Sequence, residues 1–204
     1  MFTGIVTDIG QIIAIMPIAK GLRLRLMTSY DTSTMRVGCS IAHAGICLTV
    51  VQLSDESSVN NWYEVEIWEE TNRLTNVVAW EIGTFVNLER SMKLGDELDG
   101  HLVSGHVDGT VEILFMDFFG DSVYCRLSLP HNLEKFIAVK GSVCLNGVSL
   151  TVNLVGDNFF DVLLIRHTIE QTTWSMHKTG DLINIEVDSM MRYISRLCAF
   201  TAFK

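Results

Sequence analysis

Apolar residues along this 204-residue chain fall in short bursts rather than in long helical stripes. GLRLRL (21–26), WYEVEIW (62–68), SVYCRLSL (122–129) and FFDVLLI (159–165) alternate or run apolar between clusters of Gly, Asn and Asp, as strands with a buried face do. Recurrence at intervals of about ten residues predicts a closed all-β barrel rather than strand–helix–strand units. Residues 71–78 and 131–138 read as single helical turns. The tail differs: from Asp188, SMMRYISRLCAFTAFK carries Met191, Ile194, Leu197 and Cys198 with neither Pro nor Gly, and Asp188 suits its N-cap. A C-terminal helix of about four turns is marginal alone, so its apolar stripe must pack on the barrels or on copies from other subunits.

The pattern is also written twice. GICLTV at 45–50 returns as GVSLTV at 147–152, and FTGIV at 2–6 is echoed by VSGHV at 103–107. SIAHAGICLTV (40–50) aligns with SVCLNGVSLTV (142–152), ETNRLTN (70–76) with HTIEQTT (167–173), and GTFVNLE (83–89) with GDLINIE (180–186). The shifts are 101, 102, 97 and 97 in that chain order, a period too long for a solenoid repeat and right for a small domain. The expected units are therefore 1–97, 98–187 and a tail 188–204, with the linker near Lys93–Gly100.

Composition narrows the function classes. Apolar residues at 48% and charged residues at 19% describe a packed globular protein. A formal charge of -9 with no Lys/Arg-rich run argues against a nucleic-acid partner. The first 21 residues lack a basic start and are interrupted by Thr7, Asp8, Gly10 and Gln11, so neither a secretory signal nor a membrane span is expected. Five cysteines (Cys39, Cys47, Cys125, Cys144, Cys198) without C-x-x-C spacing point to reduced thiols in a cytoplasmic protein, with no zinc site.

Candidate chemistry gathers on the duplicated phrase. Cys47 and Thr49, like Ser149 and Thr151, stand two apart and so share one face of a strand. His101 and His106 are five apart, which fits no helical metal pair; either imidazole could move a proton near neutral pH, and either could equally be an ordinary hydrogen-bonded residue. Lys140 precedes the second copy of the phrase and Asp188 follows the last strand. No phosphate-binding glycine loop is present, and GVSLT lacks the closing glycine of a nucleophile elbow.

MFTGIV at the start, the GICLTV and GVSLTV pair, the join LGDELDGHLVSGHVDG and the closing NIEVD together resemble the riboflavin synthase family, alpha-chain type, over essentially the whole chain. The resemblance implies two six-stranded Greek-key barrels plus a C-terminal α-helix through which a homotrimer assembles. It implies a dismutation of two 6,7-dimethyl-8-ribityllumazine molecules by four-carbon transfer, giving riboflavin and 5-amino-6-(D-ribitylamino)uracil. Neither cofactor nor metal is implied; the partner enzyme that makes the lumazine, lumazine synthase, is a candidate associate. A reaction between two copies of one molecule needs two similar pockets, which a duplicated domain supplies.

Carried over by motif, one lumazine should meet Gly4, Ile5 and Val6, then Cys47, Leu48 and Thr49, then Glu66, Ile67, Trp68, Glu69, Glu70 and Thr71. The other should meet Gly105, His106 and Val107, then Ser149, Leu150 and Thr151, then Leu163, Leu164, Ile165, Arg166, His167 and Thr168, with Lys140 reaching from the adjacent chain. The resemblance places His106 and Ser149 around the proton transfer, Cys47 or a water near the acceptor carbon, and Lys140 and Asp188 in the contact between chains. The sequence departs from the family pattern at Asn146, where Asp is expected, and at Ala44, Trp68 and Arg166. Asn146 lacks a charge but still suits a turn before Gly147.

Two rival readings remain at this level. A lumazine or flavin carrier, such as the antenna proteins of luminous bacteria, would bind the chromophore without turnover and would not need a second working pocket. An oligonucleotide-binding double barrel is opposed by the acidic balance and by the lack of a basic, aromatic-lined groove.

Overall fold

A computed structural model of the chain describes residues 1–55 and 58–201. The last three residues of the expected tail helix, 202–204, lie outside the described residues. The first half contains β1 (Asp8–Ile18), β2 (Gly21–Met27), β3 (Ser40–His43), β4 (Ile46–Leu53), β5 (Trp62–Trp68), α1 (Glu69–Leu74) and β6 (Phe85–Arg90). The second repeats the series as β7 (Gly109–Phe119), β8 (Ser122–Ser128), β9 (Ser142–Leu145), β10 (Val148–Val155), β11 (Phe159–Leu164), α2 (Arg166–Gln171) and β12 (Leu182–Val187). Each set closes into a six-stranded antiparallel barrel, in the order β1-β2-β5-β4-β3-β6 for the first. Placing β2 beside β5 after the β3-β4-β5 meander is the Greek-key crossover.

Closure uses the same devices twice. The register slips between Ile12 and Ala14 in β1 and between Ile113 and Phe115 in β7, and again between Val50 and Gln52 and between Val152 and Leu154. Bulges at matched positions bend the strands enough to close a small barrel. The interior is filled by alternate residues: Leu24 and Leu26 point inward on β2, and Val123, Cys125 and Leu127 do so on β8. Side chains of this size stabilise by roughly 1.5–3 kcal/mol each when fully buried, so each barrel has its own apolar core.

The duplicated phrase opens at a two-residue hairpin loop in each half, Ala44–Gly45 between β3 and β4 and Asn146–Gly147 between β9 and β10. Both loop residues have positive φ (45° and 83°; 46° and 82°), as a type I′ turn requires. Asn146 therefore suits its place as a turn residue, whereas Ala44 holds the left-handed conformation at a cost of about 1 kcal/mol. The two turns meet. A Cβ on Gly45 would lie 3.0 Å from the Gly147 nitrogen, and one on Gly147 would lie 2.9 Å from the Gly45 nitrogen.

Around this contact the halves exchange hydrogen bonds reciprocally. Asn87 donates from Nδ2 to the Asn146 carbonyl and accepts from the Thr173 amide, while Asn184 donates to the Ala44 carbonyl and accepts from the Asn76 amide. Both asparagines are buried and fully engaged, which fixes the barrels in one relation. The C-terminal α3 (Ser189–Thr201) is capped by Asp188, whose Oδ1 accepts from the Met190 amide at 2.9 Å. Its apolar side chains Met190, Tyr193, Ile194, Leu197 and Phe200 are all mostly or half exposed.

Candidate functional site

Each half begins with a short glycine-containing leader, and each leader is held by a buried carboxylate. Glu89 accepts from the Thr3 amide (2.6 Å), the Thr3 hydroxyl (2.8 Å) and the Gly4 amide (3.0 Å). Glu186 accepts from the amides of Ser104 (2.7 Å), Gly105 (2.8 Å) and His106 (2.9 Å). Burial raises the pKa of both carboxyls, and the backbone donors pull against that rise. Nothing in the sequence singles out either glutamate for this task, although both close a duplicated block, GTFVNLE and GDLINIE.

The leaders then cross over. Gly4 presents its carbonyl to the Ser149 amide at 2.7 Å, and Gly105 presents its carbonyl to the Cys47 amide at 2.8 Å. Phe2 and Val103 bond to each other in both directions between the leaders. Val6 packs on the core of the second barrel and Val107 on that of the first. This corrects the grouping expected from the sequence: Gly4, Ile5 and Val6 belong with Ser149, and Gly105, His106 and Val107 belong with Cys47. Linear order could not reveal the exchange, because each leader precedes the barrel it does not serve. Only glycine fits here, since a Cβ on Gly4 would sit 2.6 Å from Ser149 Cβ and one on Gly105 would sit 2.5 Å from Cys47 Cβ.

Strand alternation sorts the remaining candidates. Cys47, Thr49, Ser149 and Thr151 face outward together, partly or fully exposed, as their spacing predicted. Leu48, Leu150, Ile67 and Leu164 turn into the barrel cores, so these four expected contacts can offer a ligand only backbone. Trp68, Leu163 and Ile165 are exposed at the ends of β5 and β11, and the short helices α1 and α2 come next, carrying Glu69, Glu70 and Thr71 and Arg166, His167 and Thr168. Glu66 is paired with Arg23 at 2.6 Å, Glu70 with Arg73 at 2.7 Å and Arg166 with Glu170 at 2.7 Å.

Among the described residues, the second half holds a feature the first lacks. His101 is buried, and its Nδ1 lies 2.7 Å from Ser149 Oγ. Burial lowers the His101 pKa, and the charge of Asp188 opposes the fall. A neutral imidazole at this distance can accept the serine proton and raise the basicity of Oγ. His106, by contrast, is exposed on the leader beside Cys47, so within one chain it does not share a site with Ser149. The deciding signal for His101 is tertiary, a leader residue meeting a strand 48 positions away.

Lys140 occupies a strained position. Its φ is 67°, and its amide bonds to the Val152 carbonyl as the amide of Gly38 (φ 91°) bonds to Val50 in the first half. A lysine held where the twin position has glycine costs about 1 kcal/mol. Among the described residues no group of three or more His, Cys, Asp or Glu side chains is arranged to hold a metal. No helix among them is long and apolar enough to cross a membrane.

Two closed barrels with exchanged leaders each set a thiol or hydroxyl and a threonine on one outward strand face, beside a leader glycine bonded to that strand. Comparison with known proteins gives the family. The Lumazine binding domain family matches twice, over residues 3–91 and 104–188. A riboflavin synthase of Brucella abortus (strain 2308) is 54% identical over 98% of this chain and 99% of that protein. One from Photobacterium phosphoreum is 40% identical over 97% and 88%. Among solved structures, LumP complexed with 6,7-dimethyl-8-(1'-D-ribityl) lumazine superposes with a TM-score of 0.79 at 20% identity, over 92% of this chain and 99% of that one, a likeness of fold. The chain belongs to the riboflavin synthase family of lumazine-binding-domain proteins.

Proposed function

We propose that the chain catalyses the riboflavin synthase reaction, in which two 6,7-dimethyl-8-ribityllumazine molecules exchange a four-carbon unit to give riboflavin and 5-amino-6-(D-ribitylamino)uracil. The two products together hold all the atoms of two substrates, so the dismutation balances without an external oxidant. What carries the reading is the reciprocal geometry, in which Gly4 on Ser149 and Gly105 on Cys47 build two like sites from one chain. Holding two identical heterocycles at bonding distance supplies most of the acceleration such a reaction needs.

In this reading Cys47, Thr49 and the Gly105–Val107 leader bind one lumazine, and Ser149, Thr151 and the Gly4–Val6 leader bind the other. His101 and Ser149 take the proton from the C7 methyl of the donor, and Cys47 or a water stands near C7 of the acceptor. His106, at the first-half site, meets Ser149 only across two chains. The first site of one chain therefore faces the second site of its neighbour, with Lys140 and Asp188 at that contact. A homotrimer formed through α3 would cover the exposed stripe of Met190, Tyr193, Leu197 and Phe200. The place of action is the cytoplasm, and lumazine synthase is the candidate associate.

The test is direct. Purified protein incubated with the lumazine should form riboflavin and the pyrimidine in equal amounts, with sedimentation giving three subunits. Bound chromophore without riboflavin would overturn the enzyme reading in favour of a carrier.

A further inference from the structure

Glu89 stands in the first barrel, yet the chain of bonds that starts from it ends at the second site. Its Oε1 accepts from the Thr3 amide at 2.6 Å and from the Thr3 hydroxyl at 2.8 Å, and its Oε2 accepts from the Gly4 amide at 3.0 Å. A trans peptide unit is planar, with its N–H and C=O pointing to opposite sides. The unit joining Thr3 to Gly4 therefore turns its N–H to Glu89 and its carbonyl away, where that carbonyl accepts from the His101 amide at 3.0 Å. The next unit repeats the arrangement. Its Ile5 N–H donates to the Thr3 hydroxyl oxygen at 3.2 Å, that hydroxyl donates to Glu89, and the Gly4 carbonyl accepts from the Ser149 amide at 2.7 Å.

Two rigid planes thus carry the placement of one carboxylate to His101 and Ser149, whose Nδ1 and Oγ lie 2.7 Å apart. Space along this route is tight. A Cβ on Gly100 would lie 2.1 Å from the Thr3 carbonyl oxygen and 3.0 Å from Ser149 Oγ, so the segment entering His101 runs against the leader. A misplacement of about 1 Å can cost roughly a hundredfold in rate, so slack in either plane would reach the chemistry. The twin carboxylate does not share this route. Glu186 holds Ser104, Gly105 and His106, and the Gly105 carbonyl leads to Cys47.

We propose that Glu89 is a positioning residue for the His101–Ser149 pair, acting from the opposite barrel through the Thr3–Gly4 and Gly4–Ile5 peptide units. Its effect on turnover rests on the proposed function; its effect on the seat of His101 does not.

The test uses the full-length protein with Glu89→Gln, whose side-chain nitrogen fills the place of one oxygen but cannot accept a hydrogen bond. Histidine ring NMR followed against pH, with the His101 signal assigned by His101→Asn, reads the pair without any turnover. Burial holds the wild-type His101 pKa below its ordinary value of 6.5, with Asp188 opposing the fall. In Glu89→Gln it should rise toward that value as the ring loses its seat. Riboflavin formation should show kcat lower by roughly tenfold or more, with KM changed by less than about twofold. Glu186→Gln should leave the His101 titration as it is in the wild type. Urea denaturation shows whether each variant is folded; should Glu89→Gln not fold, Glu89→Asp, which withdraws the carboxylate by one methylene, is read in the same way. An unchanged His101 titration in a folded Glu89 variant, or an equal shift in Glu186→Gln, would overturn the proposal. A wild-type protein that forms no riboflavin would remove the proposed function, and the His101 titration would still decide the role of Glu89.

Discussion

The two halves share their strand order, their bulges, their hairpin turns and their buried Asn and Glu, and they diverge where chemistry can occur. Cys47 stands where the second half has Ser149, and Gly38 where it has Lys140. His101 bonds to Ser149, while no histidine among the described residues bonds to the Cys47 thiol. The divergence extends past the last strand of each barrel. In the second half α3 packs over the turn Glu134–Phe136, and Arg192 binds Asp108 at 3.0 Å. In the first, the equivalent trough beside Thr7, Arg36 and Arg90 is an open hollow of about 790 Å³. The repeated frame is the same in both halves, and the polar groups set on it differ, as the proposed donor and acceptor roles require.

The comparison breaks most sharply at the carboxylate clasps. Glu186→Ala would leave one buried and two part-buried amides without their acceptor and should cost about 3–5 kcal/mol in urea denaturation, with Glu89→Ala close behind. A large cost for one and none for the other would show that the clasps are not equivalent. The next effect is confined to the first half, where buried His43 bonds to the Tyr63 hydroxyl at 2.8 Å; Leu145 and Phe160 take the twin positions. Burial lowers the His43 pKa to about 4, below its value in the unfolded chain. The stability this provides is complete above about pH 6.5 and lost as pH falls toward 4, on the order of 3 kcal/mol. The burial-raised carboxyls of Glu89 and Glu186 work in the opposite direction, so the clean readout is the His43 ring resonance titrating near pH 4.

Turnover should separate the two site strands. Ser149→Ala should lower kcat roughly a hundredfold, the scale of one acid–base group, whereas Cys47→Ser, which keeps a polar atom, should cost less than about tenfold. Equal losses would mean that both strands do the same chemistry. Gly147→Ala, with positive φ and no room for a Cβ, should destabilise by about 1–3 kcal/mol, and Gly45→Ala should match it. The smallest effect is a gain: Lys140→Gly should stabilise by about 0.5–1 kcal/mol while impairing turnover, a trade that an idle surface lysine would not show.

Much of this architecture is legible in the sequence because it is local or repeated. Strand alternation in GLRLRL and SVYCRLSL, the glycine turns and the capped tail helix depend on neighbours within a few residues. The outward pairing of Cys47 with Thr49 and Ser149 with Thr151 comes from the strand period alone. The short helix α2 is not legible in its residues, since RHTIEQ has no strong helix signal and is placed by its barrel. The crossing of the leaders and the His101–Ser149 contact depend on how the two barrels dock, and no periodicity carries that information. Matching leaders to phrases by linear order consequently pairs each leader with the wrong strand.

The central claim is that one chain builds two like sites by exchanging leaders. It is tested most directly by calorimetric titration of an unreactive lumazine analogue into the purified protein, with Gly105→Val measured alongside. The account predicts two ligands per chain and the selective loss of the site at Cys47 in the variant. A single ligand per chain, or loss of the Ser149 site instead, would contradict it.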